Sequence, residues 1–227
     1  MIKLAPEGYP FILGSFLATI IVSMFLIWSW KSGSYNLSFY FLLCTTCFFL
    51  LVAVFMVFFF RDPDRRVPKG EGLFVSPADG KIILIRETYE QNYLKCQSKE
   101  VSIFMSPLDV HVNCAPCDGR VSIVKYSPGK FMAAYKEDSS VKNENITMVL
   151  ENENENVKVL VKQIAGFIAR RAVCRVNVGD LLKRGDRYGM IKFGSRLDVY
   201  MPVNTKIKVG MGDRVRAGET VIGELQR

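Results

Sequence analysis

The sequence predicts a mainly β domain carried behind a pair of membrane-spanning helices, and three observations predict it. Two long stretches near the N-terminus carry no charge. Seven short runs rich in valine and isoleucine follow, separated by proline, glycine, asparagine and aspartate. Further on, segments marked by glycine repeat one another within the chain.

The first element is Phe11 to Trp30, 20 residues without a charge, and the second is Leu37 to Phe60, 24 residues without a charge. A helix rises about 1.5 Å per residue, so each stretch matches the roughly 30 Å hydrocarbon core of a bilayer. A cleaved signal peptide is the competing explanation for the first, but such apolar regions run to only about 7–15 residues. Lys31 to Asn36 leaves room only for a tight connection, so residues 1–60 read as a helical hairpin that anchors the chain. Arg61, Arg65, Arg66 and Lys69 follow the second span at once. Lys3 lies before the first span, and Lys31 alone occupies the loop. The positive-inside rule therefore places both ends of the hairpin, and the domain that follows, on the cytoplasmic side of the cell membrane.

Residues 61–227 form the second predicted domain. Arg61-Asp-Pro-Asp-Arg-Arg-Val-Pro68 makes a stiff polar exit from the membrane. The predicted strands are Phe74–Val75, Lys81–Ile85, Val101–Met105, Val110–Asn113, Val121–Tyr126, Thr147–Leu150 and Val157–Ile164. Only Gly129 to Glu137 reads as helical. Lys142 to Asn156, rich in Asn and Glu, reads as an exposed hairpin. Pro77-Ala-Asp79-Gly80-Lys81-Ile82 echoes Pro116-Cys-Asp118-Gly119-Arg120-Val121, and Asp-Gly between extended runs predicts a hairpin turn at each. Gly179-Asp180 followed by Gly185 and Gly189 echoes Gly212-Asp213 followed by Gly218 and Gly223. Short strands punctuated in this way resemble the half-barrels of biotinyl and lipoyl carrier domains, giving the β-rich domain a sandwich or hybrid-barrel character.

Composition narrows the function. The formal net charge is +8, yet no aromatic-basic interleaving or reader motif points to nucleic acid. A domain held beside an anionic leaflet gains about 1 kcal/mol per nearby Lys or Arg, which accounts for the sign. Six cysteines and one histidine do not make a four-ligand zinc set, because Cys114-x-x-Cys117 has no second pair. No metal is expected. Cys44 and Cys47 fall inside the second span and Cys96 and Cys174 stand apart, a pattern of free thiols.

Four motifs carry chemistry: Phe58-Phe-Phe-Arg-Asp-Pro63, Val75-Ser-Pro-Ala-Asp-Gly-Lys81, Phe104-Met-Ser-Pro-Leu-Asp-Val-His111 and Met190-Ile-Lys-Phe-Gly-Ser195. In this order, and over nearly the whole chain, they resemble the short subfamily of phosphatidylserine decarboxylases, which are pyruvoyl-dependent proenzymes. The resemblance implies self-cleavage between Gly194 and Ser195 into fragments 1–194 and 195–227, with Ser195 converted to a covalent pyruvoyl group. Ser195 Oγ would attack the Gly194 carbonyl to give an ester, and glycine leaves that carbonyl open. A serine hydroxyl needs a base beside it; the resemblance gives that role to His111, with Asp79 orienting the imidazole as in a Ser-His-Asp triad. Loss of the Ser195 α-proton would expel the Gly194 carboxylate, and hydrolysis would leave the pyruvoyl ketone as an electron sink for decarboxylation. The product would be phosphatidylethanolamine.

Longer bacterial members carry a second histidine three positions after the first, where this chain has Cys114. His111 then serves both steps, or Cys114 assists it. Asp79 also reads as a turn residue like Asp118. His111 also reads as a structural histidine on the strand face it shares with Asp109 and Asn113. Arg170 and Arg171 are basic residues suited to a phosphate, but the motifs do not reach them. The partners expected are phosphatidylserine in the membrane and the two cleavage fragments held as a complex, with homo-oligomerisation left open. The alternatives are an archaetidylserine decarboxylase of the same chemistry and a non-catalytic membrane-anchored lipoyl-like adaptor.

Overall fold

The computed structural model describes residues 3–33, 35–134, 138–152, 155–166 and 172–226. The chain divides into two compact units, Met1–Asp64 and Arg65–Arg227.

The first unit is the expected helical pair. A single 3₁₀ turn, Pro6–Gly8, leads into α1, Tyr9–Lys31, and α2 is Leu37–Phe59. Each has 23 residues, about 34 Å of helix. Both are long and apolar enough to cross a membrane, with mean hydropathy 2.3 and 2.7 over their most apolar windows. Asn36 caps α2, its side chain accepting from the Phe39 amide. The far ends of the pair are tied together: the Ala5 amide donates to Phe60 O and the Asp62 amide to Lys3 O, both at 2.8 Å.

The second unit is built almost wholly of strands. They are β1 Leu73–Val75, β2 Gly80–Glu90, β3 Cys96–Met105, β4 Val112–Cys114, β5 Gly119–Ser127, β6 Asn145–Asn152 and β7 Val157–Ile164. After these come β8 Ala172–Cys174, β9 Leu181–Leu182, β10 Arg187–Ile191, β11 Ser195–Pro202, β12 Thr205–Ile207, β13 Arg214–Val215 and β14 Val221–Leu225. The large sheet runs β13-β2-β3-β11-β7-β6-β5-β9, and two three-stranded sheets, β1-β14-β12 and β4-β10-β8, complete the unit. Every pairing between these strands is antiparallel. Alternating residues of the large sheet, among them Ile82, Val101, Ile103, Met105, Leu150, Val161, Leu197 and Val199, meet Phe74, Tyr188 and Ile222 in one core.

The sequence echoes become one structural unit built twice. The Val75 amide donates to Pro116 O and the Cys114 amide to Pro77 O, both at 2.9 Å. The Gly218 amide meets Ser76 O at 2.8 Å while the Gly185 amide meets Ala115 O at 2.9 Å. Asp79 Oδ1 accepts from the Ala217 amide at 2.8 Å, and Asp118 Oδ1 accepts from the Arg184 amide at 2.6 Å. Each Pro-x-Asp-Gly segment is therefore clasped by the glycine-marked segment that follows Gly212-Asp213 or Gly179-Asp180.

Three local expectations are corrected. Neither Asp79-Gly80 nor Asp118-Gly119 closes a hairpin: β1 and β4 pair with β14 and β10, so each Asp-Gly passes the chain from a small sheet to the large one. Glycine is needed there for close approach, since a Cβ on Gly80 would lie 2.2 Å from Phe104 O. The helix expected over Gly129 to Glu137 is absent from its described residues, 129–134. A single turn, α3 Ser139–Lys142, takes its place and lays Ser139 and Ser140 against the unit. Lys142 to Asn156 is not an exposed hairpin of its own: it holds β6, which pairs with β7 beyond it, and Asn143 to Leu150 is buried. Asn143 is held there by side-chain bonds to Met132 O at 2.8 Å and Ala165 O at 2.7 Å. Arg170 and Arg171 lie outside the described residues.

Candidate active site

Ser195 is the first residue of β11 and pairs across the sheet with Met105, the last of β3. It is fully buried, and its hydroxyl points at Met105 Sδ, 3.3 Å away. The chain enters it through two consecutive left-handed residues, Phe193 at φ 63° and Gly194 at φ 55°. Glycine takes that conformation without penalty, whereas a residue such as Phe193 stores roughly 1–3 kcal/mol, and such strain collects at functional positions.

His111, also fully buried, stands over the Gly194–Ser195 junction. Its Nδ1 lies 2.9 Å from Asp109 O, and the Gly194 amide points at its Nε2 from 3.3 Å. A carbonyl can only accept, so Nδ1 carries the proton and Nε2 presents a lone pair toward Gly194. The structure thus brings together Ser195, Gly194 and His111, which lie more than 80 positions apart in sequence. β4 and β10 supply the frame, with Met190 opposite Val112 and the Ile191 amide donating to His111 O.

Asp79 is positioned differently from a simple triad member. Its Oδ1 accepts from Arg65 Nη2 at 2.7 Å and from the Ala217 amide at 2.8 Å, while the ring of His111 is oriented by the Asp109 carbonyl. Burial pushes the Asp79 carboxyl above its ordinary value of 3.8, against the Ala217 amide and Arg65, and the nearby Asp109 charge pushes the same way. The paired guanidinium separates Asp79 from its echo Asp118, whose contact with the Arg184 amide is exposed. Cys114 is buried with its sulfur 3.6 Å from where a Cβ of Gly218 would stand, in the turn next to Ala217.

Three participants are invisible to sequence reasoning. Gly166, two residues beyond β7, lies against the Gly194 carbonyl, and a Cβ there would sit 2.0 Å from that oxygen. Arg65, read only as part of a charge cluster, holds Asp79 and lies 3.8 Å from Glu219. Arg196, 2% exposed, turns to the opposite face of β11 from Ser195. There it meets Asp198 at 2.6 Å, the Ser102 hydroxyl at 2.9 Å and Glu100 at 3.6 Å. Glu100 also takes bonds from Arg86 at 2.6 Å and Tyr200 at 3.1 Å, while its burial and Asp198 push its carboxyl up. The ion pairs and hydrogen bonds satisfy one another, which lets charges lie under the strand that begins at Ser195. The only sequence signals were a glycine just after a strand and an Arg-x-Asp alternation.

Among the described residues no group of three or more His, Cys, Asp or Glu side chains has the arrangement of a metal site. The arrangement that exists is a buried hydroxyl, an imidazole whose Nε2 faces the Gly194 amide, and a constrained peptide at their junction. Those parts suit attack on a backbone carbonyl.

Comparison with known proteins agrees with that geometry. The family profile described as phosphatidylserine decarboxylase matches residues 52–223. A protein of Geotalea daltonii named phosphatidylserine decarboxylase proenzyme is 43% identical over 222 residues, covering 98% of this chain and 96% of its own. The protein of that name from Syntrophus aciditrophicus is 42% identical over 220 residues, 97% of this chain and 96% of its own. The one from Desulfotalea psychrophila is 45% identical over 180 residues, 79% of this chain and 84% of its own. The chain belongs to the phosphatidylserine decarboxylase family.

Proposed function

We propose that this chain is a proenzyme that cuts itself between Gly194 and Ser195, makes a pyruvoyl group of Ser195, and decarboxylates phosphatidylserine to phosphatidylethanolamine and CO2. The observation that carries this is the strained Phe193-Gly194 turn leading into the buried Ser195, with the Nε2 lone pair of His111 at the Gly194 amide.

His111 takes the hydroxyl proton of Ser195 as Oγ adds to the Gly194 carbonyl, and a positioned base contributes roughly 10²–10⁴ in rate. The peptide becomes an ester, with the amine of Ser195 released. Removal of the Ser195 α-proton then forms a Cα=Cβ double bond, breaks the Cβ–Oγ bond and frees the Gly194 carboxylate. Water replaces the nitrogen of the resulting dehydroalanine, ammonia departs, and residue 195 is left as a pyruvoyl cap. Asp79, which accepts from Arg65 and the Ala217 amide, supplies negative charge near Asp109 in its carboxylate form. The residues present fit the group, because position 195 is sealed from solvent and its strand is gripped through Arg196. When present, the group supplies a ketone that reacts with the substrate amine and accepts the electron pair released with CO2. His111 holds a proton at Nε2 and returns it to the carbon that lost CO2.

The same reading gives the surroundings. Two apolar helices hold the protein at the membrane where a two-chain lipid resides. Arg61, Arg65, Arg66 and Lys69 beside the second helix favour the cytoplasmic face for the catalytic unit. Fragments 1–194 and 195–227 remain one complex, since β11 pairs with β3 and β7 on either side. The test is release of CO2 from phosphatidylserine by purified protein, alongside an ether-linked serine lipid. The wild type releases CO2 and Ser195→Ala releases none; equal release by both would overturn the proposal.

A further inference from the structure

The end of the large sheet that holds Ser195 is fringed by two exposed apolar tips. Leu108, 63% exposed, crowns the turn Ser106–Asp109 after β3, and Met211, 62% exposed, crowns the turn Gly210–Asp213 before β13. The turns are neighbours, for Arg214 Nη1 lies 3.4 Å from Asp109 Oδ1 and Lys81 of β2 pairs with Phe104 on one side and Arg214 on the other. Pro107, next to Leu108, lies beside the Gly194 α-carbon, within 3.8 Å of where a Cβ would stand.

Each turn folds its acidic residue back on itself. Asp109 Oδ2 accepts from the Ser106 amide at 2.8 Å and Asp213 Oδ2 from the Gly210 amide at 2.7 Å. Lys81, Arg214 and Arg216 remain exposed around them. Arg216 lies 3.9 Å from Glu219, and the surface is an apolar pair of tips among three exposed cations, at the end of the sheet where Ser195 begins β11. Single exposed apolar residues are ordinary; two at one sheet end among three exposed cations are not. Exposed positive charge and apolar tips on one end of the unit suit one occupant, an anionic lipid surface.

We propose that Leu108 and Met211 insert into the headgroup region of an anionic bilayer, with Lys81, Arg214 and Arg216 on the lipid phosphates, so that the Ser195 site opens onto the lipid surface. The proposal rests on the reading of the site as one that acts on a membrane lipid, but its test does not depend on turnover. Full-length protein lacking the exposed Cys44, Cys47 and Cys96 would carry a single environment-sensitive fluorophore at Leu108→Cys or Met211→Cys, in nanodiscs with and without anionic lipid. Val178, 63% exposed, precedes Gly179-Asp180 as Met211 precedes Gly212-Asp213, so Val178→Cys is the matched control.

The expected result is blue-shifted emission and quenching by lipid-borne quenchers at positions 108 and 211 and not at 178, with the effect diminished when anionic lipid is omitted. Emission at 108 and 211 as solvent-like as at 178, or a shift that follows protein concentration and ignores lipid quenchers, overturns it. A Leu108→Asp, Met211→Asp double variant should raise KM for bilayer phosphatidylserine several-fold while cleaving itself normally and handling a dispersed short-chain substrate at the parental rate. An unchanged KM on bilayers overturns the proposal as well. Failure to cleave at position 194 in the unsubstituted protein would instead count against the assigned chemistry.

Discussion

The Gly194 amide points at Nε2 of His111 from 3.3 Å, so the chain's one histidine rests on the residue whose carbonyl is the proposed point of attack. Its other nitrogen is committed to the Asp109 carbonyl at 2.9 Å. One tautomer satisfies both contacts, and it leaves the basic lone pair at the junction. His111→Gln keeps a polar side chain of similar reach but no base of comparable strength. Self-cleavage is expected to slow by roughly 10²–10⁴, measured as the half-time for the intact chain to disappear on a denaturing gel.

Gly166 supports the other side of the same peptide. Because a Cβ there would lie 2.0 Å from the Gly194 oxygen, Gly166→Ala must push the carbonyl away from its position. A misplacement of about 1 Å can cost on the order of 10²-fold in rate. Gly166→Ala should therefore accumulate uncleaved chain at a rate about 10²-fold below the parent, with a thermal transition in detergent close to that of uncleaved Ser195→Ala. Normal processing would remove Gly166 from the site.

Asp79 gives a pH test with a definite sign. Its carboxyl lies above 3.8 because burial outweighs Ala217 and Arg65, so the fold favours the protonated form. Its contribution to stability is complete below 3.8 and declines as pH rises through the raised value. The proposed role needs the opposite form, the carboxylate. Arg65→Met removes one of the influences that lower the value, so the acid limb of the cleavage-rate profile should move to higher pH than in the parent. The difference between the two profiles isolates Asp79, because only its guanidinium partner has been changed. An unmoved limb would take Asp79 out of the reaction.

Arg196 lies 2.6 Å from Asp198 with less than 3% of either side chain exposed. Arg196→Met leaves Asp198 and Glu100 buried without that cation. Removal of one member of a buried ion pair costs roughly 3–5 kcal/mol, read as a lowered Tm of full-length protein in detergent. Replacing Asp198 by Leu in the same background should recover part of the loss.

Much of this architecture is legible in the residues. The uncharged stretches mark the helical pair, and β7 runs from Val157 to Ile164 as its valines and isoleucine predict. The internal echoes were visible too. Their partners were not, since the bonds that make the two repeats clasp one another, such as Val75 to Pro116 and Cys114 to Pro77, join residues about forty apart. Local Asp-Gly chemistry suggested a hairpin where the long-range pairing instead produced a crossing between sheets. The same holds at the site. Ser195, Gly194 and His111 were singled out by motif resemblance, whereas Gly166 and Arg65 meet Gly194 and Asp79 through a backbone approach and an ion pair that have no local sequence pattern. The buried segment from Asn143 to Leu150 was misread because polar residues usually mark surface, and here side-chain bonds to the backbone satisfy them.

The most direct measurement is an intact mass spectrum of the purified protein, with Ser195→Ala as the uncleaved standard and hydroxylamine as a ketone reagent. The account predicts two polypeptides, residues 1–194 and residues 195–227, the shorter one gaining the mass of an oxime after treatment. A single unbroken chain that takes up no hydroxylamine, yet releases CO2 from phosphatidylserine, would contradict it.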